Sequence, residues 1–178
     1  AGLDILRAEQ IVGEGDARRG PVPVVLLPAG SDPHRAPGAA AAFFYGRPSA
    51  ALTSFGVTGT NGKTTTTYLL DHLLAALGRT VGLVGTVETR SGSRVLPSRL
   101  TTPDATSLQA VLATMLEDGV DVLAMEVSSH SISQRRVDGL HFDVVGFTNL
   151  SQDHLDFHGD LDRYFAAKAE LFTAERAR

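Results

Sequence analysis

The stretch that decides the fold runs from residue 52 to residue 77 and reads LTSFGVTGTNGKTTTTYLLDHLLAAL. Residues 52–57 form a short run typical of a β-strand, and the glycine-containing segment 58–65 follows it directly. Leucines then recur at helical spacing, and Gly78 is a natural helix stop. The pattern predicts a strand, a tight loop and a helix with one apolar face, formed by Leu69, Leu70, Leu73, Leu74 and Leu77.

A strand, a glycine loop and a helix in this order can cradle phosphate groups. Glycines let the backbone turn tightly and point its N–H groups at one anion, and the helix presents its positive end there. Lys63 would then reach the β- and γ-phosphates of a nucleotide, and the Thr64 hydroxyl would bind Mg²⁺. The general motif has a glycine where this chain has Val57, so the loop alone does not distinguish a kinase, a GTPase and a ligase.

Strand-like and helix-like segments alternate along the rest of the chain. Asp104 is a suitable cap for the helical pattern that follows it. Because helices of this length serve as crossovers between parallel strands, the sequence predicts an α/β fold, a mostly parallel sheet with helices on both faces. The predicted strands lie at residues 24–27, 52–57, 81–84, 120–127 and 142–148, the helices at 39–45, 66–77, 105–118 and 160–172, and a loop at 31–38.

Composition narrows the function classes. The net charge of −4 argues against a general affinity for nucleic acid or an anionic membrane. The absence of cysteine removes disulfides, zinc-thiolate sites and thiol catalysis, and no apolar run approaches the ~20 residues that span a bilayer. We expect a cytoplasmic monomer. Both ends of the sequence look truncated, so we also expect a fragment that holds one domain plus a piece of another.

Polar residues follow the predicted strands at the edge where ligands of open α/β sheets bind. Glu126 ends one strand, and the segment 148–158 follows another. A carboxylate, an imidazole and the Thr64 hydroxyl around a triphosphate would form a Mg²⁺ site. The alternatives are a carboxylate of Glu126 paired with an arginine, a polar turn at residues 154–158, and a helix start at Thr101 and Thr102.

These residues resemble the Mur ligases and their relative, folylpolyglutamate synthase. The likeness covers residues 45–172 and is strongest to the branch that adds the third amino acid to a UDP-MurNAc-dipeptide. It implies that residues 1–48 are a remnant of an N-terminal UDP-binding domain with its linker, and that 49–178 are part of the central ATP-binding domain. The segments that carry it are 58–65 (TGTNGKTT), 126–130 (EVSSH), 147–151 (FTNLS), 153–156 (DHLD), 158–159 (HG) and 167–168 (AK).

The resemblance implies roles for individual residues. Lys63 and Lys168 would be catalytic, and Lys168 would carry a carbamate, which turns a cation into an anion able to hold a second Mg²⁺. ATP would bind to Gly59, Thr60, Asn61, Gly62, Lys63, Thr64 and Thr65. The UDP-MurNAc-dipeptide would contact Thr101, Thr102, Ser128, Gln134 and Arg136. Magnesium would be held by Thr64, Glu126, His154 and the modified Lys168.

The reaction implied by this likeness joins an amino acid to UDP-MurNAc-L-Ala-D-Glu. ATP would phosphorylate the D-Glu carboxylate, and the amine of the amino acid would attack the resulting acyl phosphate and expel phosphate. Two alternatives stay open from the residues. One is another ligase of the same superfamily, similar to folylpolyglutamate synthase, and the other is a P-loop nucleotide-binding module without catalysis.

Overall fold

The computed structural model describes residues 4–7, 23–26, 29–30, 32–98 and 100–177. Two short strands, β1 (Asp4–Arg7) and β2 (Pro23–Leu26), pair antiparallel in a sheet of their own. The strand predicted at residues 24–27 overlaps β2, and its last residue lies outside the described part.

The main sheet has six strands in the order β6-β5-β4-β7-β3-β8. The four strands β4, β7, β3 and β8 are parallel, which confirms the predicted mostly parallel sheet. The antiparallel hairpin β5–β6 at one edge was not predicted, because its two strands have three residues each and are mostly polar. The strands are β3 (Thr53–Thr58), β4 (Val81–Val84), β5 (Thr89–Ser91), β6 (Arg94–Leu96), β7 (Val122–Glu126) and β8 (Val144–Phe147).

Six α-helices are present in the described residues. The first begins inside the predicted loop 31–38, because Pro37 fits the first turn of a helix, where no N–H donor is needed. The helix predicted at 160–172 ends at Ala169 and continues as a 3₁₀ turn, Glu170–Phe172. The helices are α1 (Ala36–Phe44), α2 (Lys63–Ala76), α3 (Ala105–Glu117), α4 (Ser129–Ser133), α5 (Leu155–His158) and α6 (Leu161–Ala169).

The sheet is covered on both faces, as predicted. On one face, Leu70 and Leu74 of α2 pack against Leu83 and Ala124. On the other face, the buried side chains of α3 pack against alternate residues of β7, as the period of two in a strand requires. That second cluster includes Leu108, Leu112, Met115, Leu123 and Met125.

The predicted apolar face of α2 is only partly correct. Leu69, Leu73 and Leu77 are 59%, 63% and 77% exposed, so the helix rests on the sheet through a neighbouring stripe. That stripe includes the buried Asp71, whose carboxylate pairs with Arg90 of β5 at 2.6 Å. A charged residue therefore takes a position that the leucine pattern did not predict, because an ion pair across to the hairpin compensates its burial.

The parallel strands end at a common edge, and this edge carries the candidate site. The loops that follow β3, β4, β7 and β8 all begin there. Across the described ranges, none of the helices has the length and apolarity that a bilayer crossing requires.

Candidate functional site

The loop between β3 and α2, residues 58–65, is held by the loop that follows β8. The Thr60 N–H donates to the Asn149 carbonyl oxygen at 2.9 Å, and the Asn61 N–H donates to the Asn149 side-chain oxygen at 3.1 Å. Gly59 has a φ of 138°, and a Cβ there would lie 2.0 Å from the Thr148 hydroxyl oxygen. Only glycine fits this approach, so residues 148 and 149 fix the loop from behind.

The first turn of α2 offers N–H groups toward an anion. Its N-cap is Gly62, in the left-handed region with a φ of 85°, and no side chain of the described residues caps this end. The N–H groups of a first helical turn lack partners within the helix, and the helix dipole is positive here. Thr64 is half-buried and Thr65 is exposed on that turn, so the predicted ATP-binding residues lie together around a surface that fits a phosphate.

Lys63 and Lys168 meet at the base of this loop. The Lys63 ammonium donates to the carbonyl oxygens of Gly59 and Thr60 at 3.0 and 2.9 Å. The Lys168 ammonium, on α6, donates to the same Gly59 oxygen at 2.8 Å, and Lys168 is 1% exposed. The two predicted catalytic lysines are therefore neighbours across one acceptor.

Burial lowers the pKa of both ammonium groups, and Lys168 also experiences the charge of Lys63. Burial lowers the pKa of Lys168 to about 8, and the positive charge of Lys63 adds to this, while Asp153 opposes it. Burial also lowers the pKa of Lys63, and the carboxylates of Glu126 and Asp153 partly restore it. Lys168 therefore loses its proton at a lower pH than an ordinary lysine.

Tyr164 supports this arrangement, and the sequence analysis missed it. Its ring lies 4.4 Å from the Lys168 ammonium, and its hydroxyl donates to the Thr60 hydroxyl oxygen at 3.2 Å. Thr60 also donates to the Ser151 carbonyl oxygen at 3.2 Å and accepts from the Ser151 N–H at 3.0 Å. Tyr164 stands one helical turn before Lys168, a spacing that places both on one face of α6 and could have identified it.

Glu126 ends β7 and is 1% exposed. Among the described residues, Thr86 donates to both of its carboxylate oxygens, through the N–H at 2.9 Å and the hydroxyl at 3.1 Å. Within the described ranges, no arginine forms an ion pair with Glu126. The alternative interpretation of Glu126, a carboxylate paired with an arginine, is therefore wrong. Thr86 lies in the loop after β4, and no motif identified it.

His154 lies in a group of three imidazoles. Its side chain is 47% exposed and stands 3.5 Å from Asp153, and its ring centroid is 4.7 Å from that of His130. The centroid of the His158 ring is 5.6 Å from that of His130, and burial lowers the pKa of both His130 and His158. These two rings are therefore neutral imidazoles over more of the physiological range.

A metal site made by the protein alone is not present in the described part of the chain. No group of three or more histidine, aspartate or glutamate side chains there could hold an ion. His154 contacts His130 and Tyr164, and no direct contact joins it to Glu126. Mg²⁺ usually takes one or two carboxylates plus phosphate oxygens and water, so Glu126 and the Thr64 hydroxyl fit an ion that arrives with a nucleotide.

The predicted substrate residues divide into two groups. Thr102 is fully buried, and its hydroxyl donates to the Glu126 carbonyl oxygen at 3.0 Å, while Ser128 caps α4 by accepting from the Ser131 N–H at 3.1 Å. Arg136 donates to the Thr102 carbonyl oxygen at 3.2 Å. The backbone at residues 101–102 is thereby tied to β7 and to the arginine.

Gln134 and Arg136 line a cleft of about 500 Å³. The neighbouring Arg135 also lines it but has ion pairs with Asp32 and Glu170, at 3.5 and 3.0 Å. Arg136, in contrast, lies beside an uncharged group in the cleft, the side-chain amide of Gln134. The remaining lining residues are His34, Pro37, Asp104, Ala105 and Thr106.

Comparison with known proteins gives consistent matches. The sequence profile of the Mur ligase middle domain matches residues 57–177. A 2,6-diaminopimelate ligase of UDP-N-acetylmuramoyl-L-alanyl-D-glutamate from Corynebacterium glutamicum is 49% identical over 98% of this chain and 32% of its own length. A UDP-N-acetylmuramyl-tripeptide synthetase from Leifsonia xyli subsp. xyli is 52% identical over 88% of this chain and 30% of its own length.

A solved structure is also similar in fold. It is a 2,6-diaminopimelate ligase of UDP-N-acetylmuramoyl-L-alanyl-D-glutamate, with a TM-score of 0.67 and 31% identity. The match covers 81% of this chain and 30% of that one. The chain thus spans about a third of the length of the relatives it matches.

Proposed function

Because the chain belongs to the Mur ligase family, we propose that its protein is an ATP-dependent amide-bond ligase of peptidoglycan precursor synthesis. Its reaction adds the third amino acid to UDP-MurNAc-L-Ala-D-Glu. The names of the relatives from Corynebacterium glutamicum and Leifsonia xyli support this choice of acceptor and product.

The observation that carries the proposal is the meeting of Lys63 and Lys168 at the Gly59 carbonyl oxygen. The Lys63 ammonium beside the uncapped first turn of α2 makes this point positive, which suits a triphosphate, while Lys168 is buried behind the loop. Glu126 supplies the negative group at the neighbouring strand end. This arrangement supports phosphoryl transfer to an acidic acceptor.

The reaction needs a carboxylate to approach the γ-phosphate of ATP, and both are anionic. Lys63 reduces this repulsion by placing its ammonium beside the transferred phosphoryl group, and the backbone N–H groups of residues 62–65 hold the phosphates in place. Bound Mg²⁺ would be held by Glu126 and the Thr64 hydroxyl and would offset further negative charge. The D-Glu carboxylate becomes an acyl phosphate, the amine of the amino acid attacks its carbonyl carbon, and phosphate leaves.

The cleft beside Gln134 and Arg136 suits the UDP-MurNAc-dipeptide. The Arg136 guanidinium can pair with a carboxylate of the substrate, and the Gln134 amide can form a hydrogen bond with a peptide group. Thr101 precedes Thr102, whose carbonyl oxygen accepts from Arg136, and the hydrogen bonds of Thr102 to Glu126 and of Ser131 to Ser128 fix the backbone of these segments. We assign the dipeptide end of the substrate to this side of the site.

A carbamate on Lys168 belongs to the same proposal. Its amine is buried, has a pKa lowered to about 8 and lies beside Lys63, which favours the neutral form that reacts with CO₂. The resulting anion would relieve the repulsion between the two lysines. It would also add a carboxylate-like ligand near Thr64 for a second Mg²⁺.

The test is a product assay with the full-length protein, ATP, Mg²⁺, UDP-MurNAc-L-Ala-D-Glu and a diamino acid. We expect one ADP and one phosphate for each UDP-MurNAc-tripeptide, measured by coupled absorbance and mass spectrometry. A parallel reaction with a folate acceptor examines the folylpolyglutamate synthase alternative. Nucleotide binding with no amide product from either acceptor would favour a nucleotide-binding module and would contradict the proposal.

A further inference from the structure

The loop after β4 joins the candidate metal carboxylate to the candidate substrate segment through one side chain, Thr86. Its N–H and hydroxyl occupy both oxygens of Glu126, and its hydroxyl oxygen lies 3.1 Å from that of Thr101. Neither the sequence motifs nor the family comparison assigned a role to Thr86. We propose that Thr86 is a positioning residue, which orients the Glu126 carboxylate and couples it to Thr101.

The direction of the hydroxyl protons follows from the contacts. A hydroxyl has one proton to donate, and Thr86 donates its proton to the Glu126 carboxylate. In its contact with Thr101, the Thr86 oxygen must therefore accept, so the Thr101 hydroxyl donates toward Thr86. The chain of donors runs from Thr101 through Thr86 to Glu126. A ligand that reorients the Thr101 hydroxyl thus changes the hydrogen bonding of Glu126.

Gly85 provides a second, independent sign that the carboxylate is placed by this loop. A Cβ at Gly85 would lie 2.5 Å from the Glu126 Oε1 atom. Since that atom ends a flexible side chain, a methyl group there would displace the carboxylate. The loop therefore holds Glu126 by a close backbone approach at Gly85 and by two hydrogen bonds at Thr86.

Glu126 is 1% exposed, so its orientation depends on these few contacts. The Thr86 hydroxyl bond to this charged group is partly buried, and loss of a hydrogen bond to a charged group changes an equilibrium by about tenfold. Because this inference rests on the proposed function, its experiment uses the full-length protein with the same substrates. The variants are Thr86→Val, which removes the hydroxyl at constant shape, and Thr86→Ser, which retains it.

Thr89→Val is the matched control. Thr89 lies near this edge on β5 and is buried, whereas Thr86 is exposed, and the Thr89 hydroxyl makes no hydrogen bond in the described structure. Thr89→Val also exchanges a hydroxyl for a methyl group, but it removes no hydrogen bond to Glu126. We expect Thr89→Val and Thr86→Ser to resemble the wild type in each measurement below.

Two measurements test Thr86. The first is the Mg²⁺ concentration for half-maximal ligation, which we expect Thr86→Val to raise about tenfold with a thermal midpoint close to that of Thr89→Val. The second is calorimetric binding of UDP-MurNAc-L-Ala-D-Glu in EDTA, without ATP, which we expect Thr86→Val to weaken. Gly85→Ala should raise the Mg²⁺ requirement as well.

Several outcomes would overturn the inference. It fails if Thr86→Val matches Thr89→Val in both measurements, or if Thr86→Ser is as impaired as Thr86→Val. If Thr86→Val does not fold, an unchanged Mg²⁺ requirement in a folded Gly85→Ala variant would count against it. A wild-type protein that forms no tripeptide would instead contradict the proposed function, so the two failures are distinguishable.

Discussion

Lys63 and Lys168 donate to one backbone oxygen, that of Gly59, from nitrogens 3.0 and 2.8 Å away. They are the two lysines of the 178-residue chain, and 105 positions separate them. Burial, and after it the positive charge of Lys63, lowers the pKa of Lys168, whereas burial alone lowers the pKa of Lys63. A polyphosphate anion beside Lys63 would offset this concentration of positive charge, in keeping with the proposed ATP site.

Replacing Lys63 by alanine tests the charge that faces the transferred phosphoryl group. We expect Lys63→Ala to reduce ligation by a factor on the order of 10² or more, because loss of one such contact to the transition state has about that effect. The far-ultraviolet circular dichroism and the thermal midpoint should stay close to those of the wild type. Turnover near the wild-type rate would remove Lys63 from the mechanism.

The lowered pKa of Lys168 predicts a pH dependence for carbamate formation. The neutral amine reacts with CO₂, and it becomes the main form as the pH rises through about 8. We expect a carbamate signal in ¹³C NMR with labelled bicarbonate that grows between about pH 7 and pH 9. The signal should be absent from Lys168→Met.

Lys63 provides a control for that experiment. Its positive charge lowers the Lys168 pKa, so Lys63→Ala should move the appearance of the carbamate signal to higher pH. Lys63→Arg retains the charge and should leave it nearly unchanged. A signal that persists in Lys168→Met would show that another amine is modified.

The order of strands and helices could be predicted from the sequence because hydrophobic periodicity reports it directly. The hairpin β5–β6 escaped prediction, since Thr89, Arg90 and Ser91 lack the alternation of a half-buried strand. The helices α4 and α5 are too short for a helical period to appear. On α2 the leucines were correct for a helix, but the ion pair of Asp71 decided which side faces the sheet.

The candidate site was predicted as a set of strand-end residues, and this much follows from the topology of a parallel sheet. Its supporting contacts could not be read from the sequence. Thr86 and Glu126 are 40 positions apart, and Tyr164 and Thr60 are 104 apart. Such pairs depend on the packing of loops and on α6, and nothing in the local pattern specifies them.

Asp104 predicts a contribution to stability that depends on pH. It caps α3 by accepting from the Ser107 N–H, the Thr106 hydroxyl and the Thr106 N–H, and these bonds lower its pKa from 3.8 to about 2. Its stabilising effect is therefore complete above about pH 3.8 and lost as the pH falls toward 2. Because Asp104 is exposed, we expect Asp104→Ala to reduce the unfolding free energy at neutral pH by only about 1 kcal/mol.

Asp104→Asn separates the cap from the charge. The amide oxygen can still accept from the first turn of α3, so stability at neutral pH should change by only a few tenths of a kcal/mol. Denaturant titrations at several pH values should show less loss of stability below pH 3.8 than in the wild type. If Asp104→Asn loses as much stability in acid as the wild type, other carboxyl groups cause that loss.

The ion pair between Asp71 and Arg90 anchors α2 to the hairpin β5–β6. The side chains are 10% and 21% exposed, and Arg90 also contacts Glu88 at 3.3 Å. Asp71→Ala leaves the guanidinium partly buried without its nearer partner, so we expect a loss of about 3 kcal/mol in unfolding free energy.

The matched surface pair, Arg79 with Asp121, has side chains that are 45% and 44% exposed, and Arg79→Ala should cost less than about 1 kcal/mol. Replacing Asp71 and Arg90 together by leucine and methionine should recover much of the loss, because no unpaired charge is then buried. Denaturant titrations of the four proteins measure these differences. Equal losses for Asp71→Ala and Arg79→Ala would mean that the buried pair does not hold the hairpin against α2.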